Sequence, residues 1–422
     1  MTINCSQKVS VAQLGARMHY AVPRIFSRLN QLDQLYTDIC STKGWPRVLN
    51  KLPPALQSSQ VKKLIGRNPY DIPTSLITSF TSFGLEYAYR LKKSTTPTEV
   101  TAVNLWAGSQ FNELILRKGF GSASLLYSYN SASKNIFMSA KKQGLTAILE
   151  QTIAPKSTEI RLLKEEEKNL RFLGWNMLED ENADRFSLRE KAEWNLADII
   201  LCGSEFVRNN VVAEGGDGNK CFVVPYGVSL TNFRVKNSNL CQKAANKPLR
   251  VLFVGSLGLR KGVYYLIEAM RKLEKLSVEC RIVGSWPIDI DPLLVSAPKN
   301  VKICGAIPRS EIAIEYCRAD VFCLPSLCEG SATVIYEALA SGLPVITTAN
   351  SGSIVRDGVE GYIVPIRDAS AIAEKLENFL ADSRLLENMS RAAKLRSDYG
   401  SFHSYSNRLV ETLARLVEAK LP

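Results

Sequence analysis

Two kinds of hydrophobic pattern alternate along the chain. Short runs rich in β-branched residues are separated by longer segments in which apolar residues recur every three or four positions. This alternation is typical of parallel sheets covered by helices. In the first half, the predicted strands are KVSVAQLG, QLYTDI, TAVNL, SASLLYSY and LTAILEQ, which begin at residues 8, 34, 101, 122 and 145. The predicted helices span residues 17–30, 74–92, 109–118, 131–142 and 157–172.

The pattern breaks after Phe233 and resumes at Arg250, because the segment between them is polar and lacks periodicity. We therefore predict an N-terminal domain at 1–234, a linker at 235–249, a second domain at 250–400 and a C-terminal helix at 401–422 that packs back on the N-terminal domain. The predicted fold class is α/β, with two Rossmann-like domains facing across a cleft. Ligands of such domains bind at the carboxyl ends of the strands.

The bulk composition agrees with two soluble domains. The chain has 422 residues, more than the roughly 250 to 300 at which a single core stops growing. Its start carries no apolar signal core, and no apolar run is long enough to span a bilayer, so we expect a cytoplasmic protein. The ten cysteines stand singly, without a C-x-x-C pair, and we expect small core residues rather than disulfides or metal ligands.

The positive charge is concentrated at the N-terminus. The net charge is +12, and residues 1–150 hold 18 Lys and Arg against 7 Asp and Glu. This surface could face phosphate or anionic lipid, which would place the protein at the inner face of a membrane. The alternative is an ordinary solvated basic surface.

The segment LPSLCEGSATVIYEALASGLPVI, residues 324–346, predicts a helix that begins directly after a strand. Ser331 is a suitable N-cap, Gly330 a tight turn and Gly342 a helix stop, so we predict a helix at 332–341. The free amides of Ala332, Thr333 and Val334, together with the helix dipole, would then bind a diphosphate in the cleft.

Two glutamates flank this predicted anion site. Glu329 precedes the turn, and the side chain of Glu337 leans back toward the same end of the helix. Carboxylates cannot hold phosphate, but they accept hydrogen bonds from sugar and ribose hydroxyls. The alternative is a pair of ordinary surface glutamates.

The segment VLFVGSLGLRKGVYYLIEA, residues 251–269, predicts a strand, a glycine turn and a helix with two cations at its entry. Arg260 and Lys261 would neutralise a leaving diphosphate there, unless they are merely a solvated helix end. The glycines fit neither the dinucleotide fingerprint nor the P-loop.

These residues resemble the group 1 family of retaining glycosyltransferases, which have the GT-B fold. The two glutamates of the family's acidic signature stand here as Glu329 and Glu337, with seven residues between them. Its G-R-L-x-x-x-K-G loop stands as Gly255, Ser256 and Leu257 through Lys261 and Gly262. The resemblance covers residues 190–395.

The resemblance implies transfer of a sugar from a nucleoside diphosphate donor, of UDP or GDP type, with retention of configuration. Lys261 would contact the diphosphate, Glu329 the transferred sugar and Glu337 the ribose, while the amides after Gly330, from Ser331 onward, would bind phosphate. The acceptor would be a sugar or lipid-linked hydroxyl on the N-terminal side, in glycan or glycolipid synthesis. No cofactor, metal or nucleic-acid partner is expected.

Two departures from the family pattern leave an alternative open. Ser256 occupies the place of a phosphate-binding arginine, for which Arg260 could substitute. The usual mid-domain histidine is missing; Gly15 matches the family's glycine turn and His19 a first-helix histidine, and Glu150 with Gln151 lie near the expected place. The alternative is a catalytically silent nucleotide-sugar-binding protein on the same fold.

Asp289 and Asp291 have the D-x-D form that holds a metal in another glycosyltransferase fold. They lie in a proline-flanked segment without other carboxylates or histidines nearby, so we expect a loop and helix cap there.

Overall fold

The computed structural model describes residues 7–53, 56–173, 179–230, 233, 247–285 and 297–418. Two sheets, each built only of parallel strands and flanked by helices, form two Rossmann-like domains. The predicted fold class is thereby confirmed. Most of the predicted linker, residues 235–246, and the segment with Asp289 and Asp291 lie outside the described residues.

The N-terminal sheet has seven strands in the order β3-β2-β1-β4-β5-β6-β7. They span Val9–Gln13 (β1), Leu32–Thr37 (β2), Ile77–Ser79 (β3), Leu125–Tyr129 (β4), Thr146–Gln151 (β5), Ile199–Cys202 (β6) and Cys221–Val223 (β7). The strand order reverses between β1 and β4, which are paired neighbours. Loops diverge at such a point and leave a crevice for a ligand.

Eight α-helices accompany this sheet in the described part of the chain. They span Ala21–Arg28 (α1), Ser59–Ile65 (α2), Thr81–Lys93 (α3), Pro97–Leu116 (α4), Lys134–Lys142 (α5), Lys156–Asn169 (α6), Ala183–Leu196 (α7) and Glu205–Ala213 (α8). A short 3₁₀ turn at Arg17–His19 precedes α1.

The C-terminal sheet has six strands in the order β10-β9-β8-β11-β12-β13. They span Leu249–Val254 (β8), Val278–Val283 (β9), Val301–Gly305 (β10), Val321–Leu324 (β11), Val345–Thr348 (β12) and Gly361–Val364 (β13). Here the order reverses between β8 and β11. These are the strands that precede the two segments singled out in the sequence.

The described helices of the second half span Val263–Lys272 (α9), Ile312–Arg318 (α10), Thr333–Ala340 (α11), Ala369–Ala381 (α12), Ser383–Arg396 (α13) and Phe402–Glu418 (α14). The last of them lies against the N-terminal domain, where Arg408 of α14 donates to the carbonyl oxygens of Pro225 and Tyr226 at 2.9 and 3.2 Å. The chain therefore crosses between the domains twice.

The predicted strand at 101–105 is wrong, because it lies inside α4. Its Thr and Val favour a strand locally, but the helix start at residues 96–99 decides the structure. Thr96 accepts from the Glu99 amide, Glu99 accepts from the Thr96 amide, and Pro97 is the first helical residue. This capping box commits the following residues to a helix.

Two further predictions need correction. The helix predicted at 332–341 begins at Thr333, with Ala332 as N-cap, because the Ser331 hydroxyl bonds that of Tyr336 at 2.6 Å rather than a helix amide. The expectation that no cysteine is oxidised is wrong for Cys317, which is disulfide-bonded. Seven other described cysteines are free thiols. Chain spacing could not indicate this pairing, because the fold determines which cysteines meet.

Gly262, at the start of α9, lies against the backbone of Pro325, which follows β11, and leaves no room for a side chain. Its φ is +64°, and a Cβ there would lie 2.0 Å from the carbonyl oxygen of Pro325. We expect Gly262→Ala to lower the free energy of unfolding by about 2 to 4 kcal/mol. Gly258→Ala is the matched control, because a Cβ at Gly258 meets no atom within 4 Å. Urea unfolding of both variants tests this; equal losses would contradict the argument.

Candidate functional site

The two points of strand reversal face each other across a cavity of about 670 Å³. Its walls come from the ends of β1, β4 and β5 on one side and from the loops after β8 and β11 on the other. Of the residues predicted from the sequence, the cavity brings together Gly15, Glu150, Arg260, Glu329, Gly330 and Ser331. The remaining predicted residues lie outside its lining.

At Gly330 the backbone of the C-terminal domain closely approaches that of the N-terminal domain. A Cβ at this position would lie 1.9 Å from the carbonyl oxygen of Thr152, at the end of β5. The Gly330 carbonyl also accepts a 2.6 Å hydrogen bond from the Ser204 hydroxyl, at the start of α8. Only glycine allows the two backbones to approach this closely.

The turn at Gly330 aims the start of α11 into the cleft. Ala332 donates its amide to Ser351, and Ile335 donates to Ala332. Among the described residues, the amides of Thr333 and Val334 have no backbone acceptor. Two amides and the positive end of the helix dipole are therefore available to an anion.

Glu329 holds both cations of the β8 loop. Its Oε1 accepts from Lys261 Nζ at 2.6 Å and from Arg260 Nη1 at 2.8 Å. Burial lowers the pKa of Lys261, outweighing the attraction of Glu329. Within the described residues, Glu329 Oε2 accepts from no protein group, so it can accept a ligand hydroxyl.

Arg260 is engaged on several sides. Besides Glu329, its Nη1 donates to the Cys328 carbonyl at 3.0 Å, and its Nε lies 3.7 Å from Glu159 of α6. The predicted substitution of Arg260 for the cation missing at Ser256 therefore competes with two carboxylates. Ser256 itself is exposed at the end of β8, after Gly255, whose amide donates to the Val283 carbonyl.

Glu337 is buried on α11, so it is not an ordinary surface glutamate. Its Oε2 accepts from the Tyr316 hydroxyl at 3.1 Å, and its Oε1 lies 3.5 Å from the exposed Arg309. Burial raises the pKa of Glu337 despite these partners. Its carboxylate does not line the cavity that contains Glu329.

Gly15 turns the chain at the end of β1. Its φ is +75°, and its amide donates to Asp38 Oδ1 at 3.0 Å. His19 also has a left-handed backbone, with φ +52°, and is not among the residues that line the cavity. Its pKa is lowered by burial and by the charges of Arg309 and Arg24, which favours a neutral imidazole.

Glu150 lies at the cavity floor, held by two tyrosines. Tyr226 donates to its Oε1 at 2.8 Å, and Tyr127 donates to its Oε2. Burial raises the pKa of Glu150. The neighbouring Gln151 is buried and bonded to Trp194 and Glu190, so its side chain is committed to the protein interior.

Sequence reasoning gave Arg17, Arg67 and Arg309 no place in the predicted site. Arg17 and Arg67 line the cavity beside the Gly15 turn, and Arg309 lies between Glu337 and His19. Single arginines outside a motif carry no signal in one sequence. In the described ranges, no cluster of three or more potential metal ligands is present. No helix of the described part is long and apolar enough to cross a membrane.

Comparison with known proteins finds that part of the chain is similar to one family. Residues 241–396 match the model of glycosyl transferases group 1. The chain is 31% identical over 196 residues, 43% of its length, to a putative colanic acid biosynthesis glycosyltransferase, WcaL, of Salmonella typhimurium. It is 30% identical over 236 residues, 52% of its length, to the amylovoran biosynthesis glycosyltransferase AmsK of Erwinia amylovora. The chain spans about half the length of these relatives, 47% and 56%.

Solved structures share the whole fold. Sucrose-phosphate synthase from Thermosynechococcus elongatus superposes with a TM-score of 0.62, over 98% of this chain and 100% of that one, at 16% identity. Anabaena HepE, solved with UDP and glucose, gives 0.60 over 97% and 100%, at 14% identity. At these identities the likeness establishes the two-domain architecture alone.

Proposed function

We propose that this chain is a glycosyltransferase of group 1, whose model its residues 241–396 match, and that it transfers a sugar from a nucleoside diphosphate donor to an acceptor hydroxyl. The observation that carries the proposal is the pairing of two open helix amides, of Thr333 and Val334, with the Glu329–Lys261 ion pair at one mouth of the cleft. Amides and cation suit a diphosphate, and the free carboxylate oxygen suits a sugar hydroxyl.

The proposed chemistry separates charge across this site. As the bond between sugar and phosphate breaks, negative charge grows on the departing phosphate, and the Lys261 ammonium and the α11 amides stabilise it. The acceptor hydroxyl approaches from the N-terminal wall, its oxygen forms the new bond to the sugar as the phosphate departs, and its proton passes to the departing phosphate oxygen. We propose retention of the anomeric configuration. Polysaccharide or glycolipid synthesis is the proposed context, as the names of WcaL and AmsK suggest.

Donor binding tests the function directly. A ligand that binds only the folded protein raises its melting temperature, so UDP and GDP, with their sugars, are compared in one thermal-shift screen. We expect Lys261→Ala to weaken binding of the selected diphosphate by about ten- to a hundredfold.

Donor turnover should persist with EDTA, because amides and cations take the place of a divalent ion. Absence of any nucleotide shift would refute the proposal, and turnover lost with EDTA would reject the metal-free site.

The two glutamates should differ on one ligand. Glu329→Gln is expected to lower turnover far more than UDP affinity, because its proposed partner is the transferred sugar. Glu337→Gln should weaken UDP and UDP-sugar alike, by about 1 to 3 kcal/mol, because its proposed partner is the ribose. The control is Glu374→Gln, an exposed residue of α12. Calorimetry and initial rates measure both quantities; identical profiles for Glu329→Gln and Glu337→Gln would contradict the assignment.

The basic surface of the N-terminal domain supports a peripheral position on an anionic membrane. Trp45, Val48 and Leu56 are exposed there, beside Lys43, Arg47 and Lys51. Apolar side chains among cations fit a negatively charged lipid surface.

We expect sedimentation with phosphatidylglycerol vesicles that falls as salt rises, since screening acts over about 8 to 10 Å. The triple variant K43Q/R47Q/K51Q should bind less than K272Q/K275Q/K302Q, which removes three exposed lysines from the other domain. Equal binding of the two variants, or no binding at low salt, would favour a soluble acceptor.

A further inference from the structure

Arg17 is a cation of the cleft that has no carboxylate partner among the residues that the structure describes. Arg67 is paired with Asp38 at 2.6 Å, and Arg260 and Lys261 are paired with Glu329. Arg17 forms no ion pair within the described ranges: its Nη1 donates to the Thr152 hydroxyl at 3.2 Å, and its guanidinium lies 5.3 Å from the Tyr129 ring centroid. Its Nε is buried and meets no acceptor there.

The surroundings of Arg17 do not neutralise it. The carboxylate that acts on it electrostatically is Glu150, whose two oxygens are already bonded to Tyr127 and Tyr226. An arginine with unused donors, lining a cavity, is costly to hold without an anion, because its charge is partly desolvated. An anionic group of a ligand would supply the acceptors that the unused donors of Arg17 lack.

The position of Arg17 indicates which group this is. Arg17 is tied to Thr152, and the Thr152 carbonyl is the atom that Gly330 contacts. Gly330 leads directly into the open amides of α11. Arg17 thus lies across the cleft from the proposed phosphate site, whereas Ser256 supplies no charge on the C-terminal side and Arg260 is held by two carboxylates.

We propose that Arg17 binds the donor diphosphate from the N-terminal domain, opposite Lys261 and the α11 amides, and stabilises the leaving group when the two domains are closed. This inference rests on the proposed function. The planar guanidinium group can donate two hydrogen bonds to phosphate oxygens. Arg17 would therefore give the diphosphate a contact that the C-terminal domain alone does not provide.

Comparing a diphosphate with a monophosphate isolates the contact. Affinities for UDP and UMP, or for GDP and GMP if the screen selects guanine, are measured by calorimetry on wild type, Arg17→Gln and Arg17→Lys. Arg17→Gln should weaken UDP by about ten- to a hundredfold and UMP by no more than about twofold. Arg17→Lys should lie between, because it keeps the charge without the fork. Donor turnover should fall at least as much as UDP affinity.

The matched control is Arg28→Gln, which removes the same charge from the exposed end of α1, where Arg28 pairs with Asp71. Equal loss of UDP and UMP in Arg17→Gln would indicate a structural role and overturn the proposal. Unchanged UDP affinity with a raised KM for an acidic acceptor would also overturn it, by assigning Arg17 to the acceptor. If wild type binds neither nucleotide, the proposed function fails instead.

Discussion

The arrangement of the cleft depends on Gly330, a residue that has no side chain. At Gly330 the C-terminal domain meets the Thr152 carbonyl of the N-terminal domain at a distance that leaves no room for a Cβ. Gly352 packs on the other side of Gly330, where a Cβ would lie 2.1 Å from the Gly330 carbonyl oxygen. The loop is thus held between two backbones, and the start of α11 enters the cleft only because this passage is open.

Ion pairs between the domains reinforce the contact. Arg367, after β13, pairs with Glu166 and Glu165 of α6 at 2.7 and 3.1 Å, and Arg260 approaches Glu159 of the same helix. Helix α6 therefore contacts the C-terminal domain both at the loop after β8 and after β13. The Arg367–Glu165 and Arg260–Glu159 pairs are partly exposed, and pairs of this kind contribute little stability individually, about 0 to 1 kcal/mol. Glu166 is buried, so separating it from Arg367 would leave a buried carboxylate without its cation, which favours this arrangement of the domains.

The sequence was sufficient for the local elements of this segment, because a strand, a turn and a helix follow one another around Glu329 and Gly330 as predicted. It did not predict that the Glu337 carboxylate lies outside the lining of the cavity that contains Glu329. Prediction failed where tertiary contacts decide. The capping box at Thr96 overrides the Thr-Val pattern at 101–105, so this segment is helical. The Ser331 hydroxyl bonds the Tyr336 hydroxyl and therefore does not cap the helix. Arg17 acquires its position through Thr152, 135 residues away, and one sequence carries no signal for such a contact.

Distributing the anion ligands over two domains has a consequence that a single-domain site would lack. If all phosphate ligands stood on the C-terminal domain, the donor would bind the open and closed forms equally and could not shift their equilibrium. In the proposed arrangement, with Arg17 on the opposite wall, the diphosphate would gain one contact only on closure, so donor binding itself would favour the closed cleft. Closure would then exclude water from the sugar–phosphate bond and leave the acceptor as the available nucleophile. The proposal thus connects Ser256 with Arg17. The C-terminal domain lacks a positive charge at Ser256, and the N-terminal domain, which closes over the donor, supplies one at Arg17.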